Sequence, residues 1–177
     1  EWWIGPREYD FTVLDRQLNF TLANYPDAML GFYIWCQPGL WYARAYPERM
    51  SRDENGNTCG YYVSTVSFSN PEYRADAALA IAAFVEHCEK YFGPKMVLYN
   101  LMGGATCEWQ GWTCHTEHFS DYSETEARQF AQFAAEHHRD ATTIPTPQER
   151  TRTTFGNTAF RDVITDWKSI LYDTFYN

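Results

Sequence analysis

The sequence predicts an α/β fold assembled from βα units around a parallel sheet. Short, nearly continuous apolar runs alternate with amphipathic helical patterns, and each apolar run ends in a glycine- or proline-containing breaker. The segments that follow two of these ends are long and rich in aromatic residues. Right-handed βαβ units alternate in this way, and their functional side chains gather on loops beyond the carboxyl ends of the strands.

Along the chain, Trp2-Trp3-Ile4 has the character of a strand end. Phe11, Leu14, Leu18 and Leu22 recur at three- and four-residue spacing and predict a helix that stops near Asn24-Tyr-Pro-Asp27. Ala28 to Trp35 is an apolar run of the kind found in a strand covered on both faces, and Gln37-Pro38-Gly39 ends it. Residues 37 to 69 then form a long aromatic and charged segment with a turn at Asp53-Glu-Asn-Gly56 and an extended stretch from Tyr61 to Ser67. Asn70-Pro71-Glu72 opens a helix by cap, ring and acidic first turn; Tyr73, Ala77, Ile81, Phe84, Cys88 and Tyr91 or Phe92 trace its inner face, and Gly93-Pro94 stops it. Lys95 to Met102 is the next strand, closed by Gly103-Gly104. The capping box Ser123-Glu-Thr-Glu126 starts a helix with Ala127, Phe130, Ala134 and His137 on one side. After Ile144-Pro-Thr-Pro147, Phe160, Val163 or Ile164, Trp167, Ile170 or Leu171 and Phe175 predict a terminal helix. These strands are too few to close a barrel, which typically takes about 250 residues, so residues 1–177 read as one piece of a larger domain.

Composition narrows the partners. With 45% hydrophobic and 21% charged residues, 177 residues suffice for one sizeable core. The net charge of −9, three lysines and no basic stripe argue against nucleic acid, and no signal-like or membrane-spanning stretch marks a compartment or a bilayer. Aromatic residues make up 18%, many in loop-like segments such as Trp41-Tyr42 and Trp109 to Trp112, where stacking is an alternative to core packing. Cys36, Cys59, Cys88, Cys107 and Cys114 are odd in number and scattered, which fits buried thiols better than a disulfide framework.

The most informative residue is Glu108, in the run Leu98-Tyr-Asn-Leu-Met-Gly-Gly-Ala-Thr-Cys-Glu108-Trp-Gln-Gly-Trp112. A carboxyl beside indole rings just past a strand suits glycoside chemistry, in which carboxyls move the proton and flat rings pack on pyranose C–H faces. The plainer account makes Glu108 an exposed loop carboxylate or part of a helix-terminal ion pair, and Trp109 and Trp112 loop anchors. Asp10, Asp15, Asp76 and Asp121 read as caps, surface charges or loop-fixing acceptors. Cys107, Cys114, His115 and His118 offer zinc-type donors on the 107–118 loop, but without paired Cys-x-x-Cys spacing. Cys107 activated by His115 or His118 is a further, weaker nucleophile reading.

Tyr9-Asp-Phe with Leu14-Asp15, Tyr25-Pro-Asp-Ala28, Val66-Ser-Phe-Ser69 before Arg74, Asp76 and Ala77, Gly103-Gly104 with Glu108-Trp109, Asp121-Tyr-Ser123 and Ile144 to Arg150 together resemble the β-galactosidase-like glycoside hydrolases of clan A, near family 42. The resemblance covers nearly the whole chain and implies a partial (β/α)₈ TIM barrel, about its second to fourth βα units, with long βα loops. It implies glycosidic hydrolysis in the full-length parent, a carbohydrate substrate and no cofactor. Glu108 matches the acid/base glutamate after the fourth strand; Trp41, Trp109 and Trp112 are then candidate sugar platforms, and His115 a polar contact. Two departures stand out: Cys107 occupies the place of the family's sugar-binding Asn, and the nucleophile glutamate is expected beyond this chain. Residues 1–177 alone are therefore expected to be nearly inactive and to self-associate through uncovered barrel edges. A non-catalytic carbohydrate-binding or structural barrel module is the alternative.

Overall fold

In a computed structural model of the chain, the structure describes residues 1–59, 65–103, 118–150, 171 and 175. Its centre is one βαβ crossover. Strand β3 (Leu30–Trp35) pairs in parallel with β4 (Met96–Met102), and helix α3 (Pro71–Phe92) connects them. Leu30, Phe32 and Ile34 alternate inward from β3 onto helix α1 (Thr12–Asn24) and onto α3. Leu18, Leu30 and Phe92 form one buried cluster, and Ile34, Phe84 and Cys88 another.

Helix α3 begins as its sequence dictates. Asn70 Oδ1 accepts the Tyr73 amide at 2.7 Å, and Pro71 at the first helical position has no donor to leave unsatisfied. The buried line along α3 is Tyr73, Ala77, Ala80, Phe84, Cys88 and Phe92. Ala80, not Ile81, is the fully buried residue, because its small side chain joins the cluster of Trp3, Tyr42, Met50 and Val66. Helix α4 (Glu124–Glu136) starts from the predicted box, with Ser123 Oγ accepting the Glu126 amide at 3.2 Å. Phe130 and Ala134 are buried with Ala141 and Ile144, whereas His137, placed at the helix end, is exposed. Leu171 and Phe175 are helical and pack on this cluster; the rest of the predicted terminal helix lies outside the described residues, beyond the short α5 (Pro147–Arg150).

Three expectations are corrected. The Trp2-Trp3-Ile4 segment is no strand of the parallel sheet: β1 (Trp3–Gly5) pairs antiparallel with β2 (Glu8–Tyr9) in a hairpin, turned by Pro6 and by Arg7 at φ 59°. Trp41 and Tyr42 lie on a helix, α2 (Leu40–Ala45), not in a loop, and Tyr42 is fully buried. Among the described residues the sheet is covered on one face only, since Tyr33, Val97 and Leu98 remain 69%, 61% and 50% exposed. The apolar run from 28 to 35 thus carries a second apolar face that the described residues do not cover. Among the described residues no barrel closes, and no helix is long and apolar enough to cross a membrane.

Phe84 meets Trp2, Phe11 and Phe32 at 5.0 to 5.9 Å between ring centroids. Truncation to Ala is expected to cost about 3–5 kcal/mol, whereas Asn70→Ala, which removes one cap, costs about 1–2 kcal/mol. Urea unfolding followed by circular dichroism measures both, and equal losses would contradict this division between core and cap.

Candidate functional site

The register of β3 on β4 pairs Trp35 with Met102, and the Cys36 amide donates to the Met102 carbonyl at 2.8 Å. The chain therefore leaves the two strands side by side, at Cys36 and at Gly103. The described parts of the two connections, with the starts of the helices that follow them, carry polar groups inward. Ser51, Asp53, Thr65, Ser67, Asn70, Ser120, Asp121, Ser123, Thr125 and Glu126 are all buried, and burial of this kind demands partners.

Asp121 supplies several of them. Its Oδ1 accepts the Arg52 amide at 3.0 Å and the Ser123 amide at 2.8 Å, while the Tyr122 amide donates to the Arg52 carbonyl at 2.8 Å. Ser123 Oγ reaches Ser67 Oγ at 3.4 Å, and Asn70 Nδ2 reaches Thr125 Oγ1 at 3.5 Å. The starts of α3 and α4 are thereby tied together. The 53–56 turn rests on Asp53, whose Oδ1 accepts the Asn55 and Asn57 amides at 2.9 and 2.8 Å, and Gly56 takes the left-handed conformation at φ 83°. A second clasp joins this turn to the end of the other loop: His118 Nδ1 lies 2.8 Å from Glu54 Oε1, and the Phe119 amide donates to Glu54 Oε2 at 2.8 Å.

Of the residues singled out in the sequence, Glu108, Trp109, Trp112 and His115 lie outside the described residues, as do Cys107 and Cys114. Trp41 is described. Its Nε1 donates to the Trp3 carbonyl at 2.8 Å, and its ring meets those of Trp3 and Tyr42 edge-on at 5.7 and 5.2 Å. Trp41 also lines a pocket of about 200 Å³ with Trp3, Arg7, Tyr9, Tyr46 and Asp76. Sequence reasoning missed this grouping, although Gly5-Pro6 between aromatic residues is a readable turn signal. His118, the one zinc candidate among the described residues, is held by Glu54 and Asn55, and no described group of three His, Cys, Asp or Glu is placed to hold a metal ion.

Asp10, Asp15, Asp76 and Asp121 have structural partners, as expected. Asp10 Oδ1 accepts the Thr12 amide at 2.9 Å, and Asp15 Oδ1 meets His87 Nε2 at 2.6 Å. Asp76 Oδ2 accepts from Arg49 Nη1 at 2.8 Å and from the Tyr42 hydroxyl at 3.0 Å. Cys36, Cys59 and Cys88 are buried free thiols, and burial raises the pKa of each, with Cys59 and Cys88 reaching about 11. They are protonated at neutral pH and unsuited to nucleophilic work.

A βα crossover with its polar loops on the carboxyl side of the strands defines the class as α/β, in which functional side chains gather at that face. Comparison with known proteins narrows the class. The family model for glycoside hydrolase 42, described as beta-galactosidase, matches residues 3–171, and the chain belongs to that family. Among solved structures it is similar to the beta-galactosidase from Bacillus circulans sp. alkalophilus, at 18% identity and a TM-score of 0.54. That match covers 93% of this chain and 21% of the other, so the chain spans about a fifth of its relative's length. Comparison with curated proteins gives no match.

The Glu54 clasp yields a pH prediction. Burial acts to raise the Glu54 pKa, but hydrogen bonds from His118 and the Phe119 amide outweigh it and hold the carboxyl below the ordinary 4.5. A depressed carboxyl contributes stability at pH values above its unfolded pKa and loses it as pH falls through the folded one. The Phe119 amide resonance is therefore expected to titrate with a midpoint below 4.5, and Glu54→Gln to abolish that transition. A midpoint at or above the ordinary value would break the assignment.

Proposed function

We propose that residues 1–177 form about the second to fourth βα units of a β-galactosidase-like (β/α)₈ barrel and that Glu108 is the acid/base carboxyl of its active site. The observation that carries this reading is the β3–β4 register, which sends the chain out of the sheet at Met102 and Gly103 on the side where such barrels act, shortly before Glu108. One-sided coverage supports it as well. Helices α1 and α3 pack on one face of the two strands, as on a barrel exterior, and the face bearing Tyr33 and Leu98 is left for interior layers from further strands. In the chain alone, this face is an apolar surface available for self-association.

The chemistry follows from two carboxyls about 5–5.5 Å apart. Glu108, protonated, gives its proton to the glycosidic oxygen as the C–O bond breaks, while an ionised carboxylate attacks the anomeric carbon from the opposite face. Glu108, now ionised, takes a proton from water, and the resulting attack releases the sugar and regenerates both groups. The neighbouring Trp109 and Trp112 exclude water, which favours the neutral acid required in the first step; they also offer stacking faces to the sugar, and His115 a polar contact. The second carboxylate comes from another strand of the barrel, in keeping with a chain that spans about a fifth of its relative. Residues 1–177 alone accordingly turn over little or no glycoside.

Cys107 favours a second reading. A thiol does not reproduce the paired donor and acceptor of the amide expected beside the acid, which fits a barrel kept for binding or structure. Turnover separates the two. In a longer protein carrying the whole barrel, an aryl β-galactoside is hydrolysed, and Glu108→Gln lowers kcat by about 10²–10⁴. An active parent with an equally fast Gln variant would remove Glu108 from the mechanism, and an inactive parent would leave the binding module.

A further inference from the structure

We infer that the pocket between the β1–β2 hairpin, helix α2 and the start of α3 is a binding site for a single neutral pyranose ring, built from residues other than Glu108 and its neighbours. Its volume of about 200 Å³ lies below the roughly 300–1,000 Å³ typical of sites for drug-sized ligands and matches one sugar residue. The walls are aromatic: Trp3 and Trp41 stand edge-on to one another with centroids 5.7 Å apart. Trp41 is locked in place, because its Nε1 donates to the Trp3 carbonyl and its ring abuts the fully buried Tyr42. A platform fixed before binding loses little freedom when a ring settles on it.

The polar groups at the rim are arranged for hydroxyls. Asp76 Oδ2 is occupied by Arg49 and Tyr42, which orient the carboxylate and leave Oδ1 open as an acceptor. Tyr46 is held by the Arg49 guanidinium 4.0 Å over its ring, so its hydroxyl is positioned without being consumed. Among the described residues, neither the Tyr9 nor the Tyr46 hydroxyl is engaged, and Arg7 forms no ion pair. Arg7 also takes the left-handed conformation at φ 59°, which favours glycine, and from that turn it lines the same pocket.

Ligand class follows by elimination. An aliphatic ligand would strand four polar groups, an anion would meet the Asp76 carboxylate, and a cation would meet Arg7. Sugar hydroxyls can both donate, as to Asp76, and accept, as from Arg7, and the phenols accept or donate as required.

The test is indole-resolved NMR of the 177-residue chain titrated with methyl β-galactoside and methyl β-glucoside, with glycerol as the control. The Trp3 and Trp41 indole signals are expected to shift to saturation with at least one glycoside and not with glycerol. Arg7→Gly, which suits the left-handed backbone, and Tyr9→Phe, which removes one hydroxyl, are each expected to raise Kd at least fivefold with unchanged indole dispersion. No saturation at Trp3 and Trp41, or variants that bind as tightly as the parent, would overturn the site. Saturation confined to Trp109 and Trp112 would also overturn it while supporting the sugar-binding role of the Glu108 loop.

Discussion

The parallel pairing of Leu30–Trp35 with Met96–Met102 is the constraint on which the rest of the structure depends. Parallel neighbours cannot be joined by a tight turn, so a crossover element is obligatory, and α3 fills that place. Its 22 residues must bury an apolar stripe against the strands, which explains the run from Tyr73 to Phe92. The same pairing puts both strand ends at one edge. Each exit then opens a long connection whose backbone groups have to find partners close to the other connection's own.

Those partners are polar side chains withdrawn from solvent. A buried donor or acceptor left unmade costs about 1–3 kcal/mol, and the two loops together with the starts of α3 and α4 bring the ten buried polar residues named above to one region. Asp121, Asn70, Ser67 and Ser123 turn that liability into fixed geometry by bonding one loop to the other and to the first turns of α3 and α4. Apolar side chains would pack there without direction, whereas hydrogen bonds specify angle as well as distance. This suits a region that must hold loops in register beyond the sheet. The Glu54 clasp extends the arrangement to the edge of the Glu108 segment, since His118 and Phe119 are the first described residues after it.

The elements legible in the sequence were those long enough to show a period. Helices α1, α3 and α4 and both strands of the parallel pair fall where apolar spacing and caps put them. The hairpin was not legible as such, because strands of three and two residues complete barely one alternation and Trp-Trp-Ile reads equally well as the end of a longer strand. The ring-rich segment at Trp41-Tyr42 looked like a stacking loop for a related reason: composition records how many rings are present and not that Tyr42 lies at the centre of the core. The loop clasps link residues 64 to 69 positions apart, a separation that no local pattern encodes. Glu108 was singled out through its strand-end position and the family resemblance, and its own geometry lies outside the described residues.

Trp41 shows how the structure redistributes a sequence reading. As one of several indoles near strand ends, it looked like a companion of Trp109 and Trp112. Its hydrogen bond to the Trp3 carbonyl binds it to the hairpin, and with it to Arg7 and Tyr9. The hairpin in turn packs through Trp3 on Tyr42, whose hydroxyl donates to Asp76 and accepts from Arg49. One chain of contacts thus fixes platform, acceptor and rim together, and moving any member disturbs the others. Such mutual fixing is what distinguishes a preorganised site from a gap between elements, because a gap has no reason to hold a carboxylate oxygen, two phenols and a guanidinium around the same pair of rings.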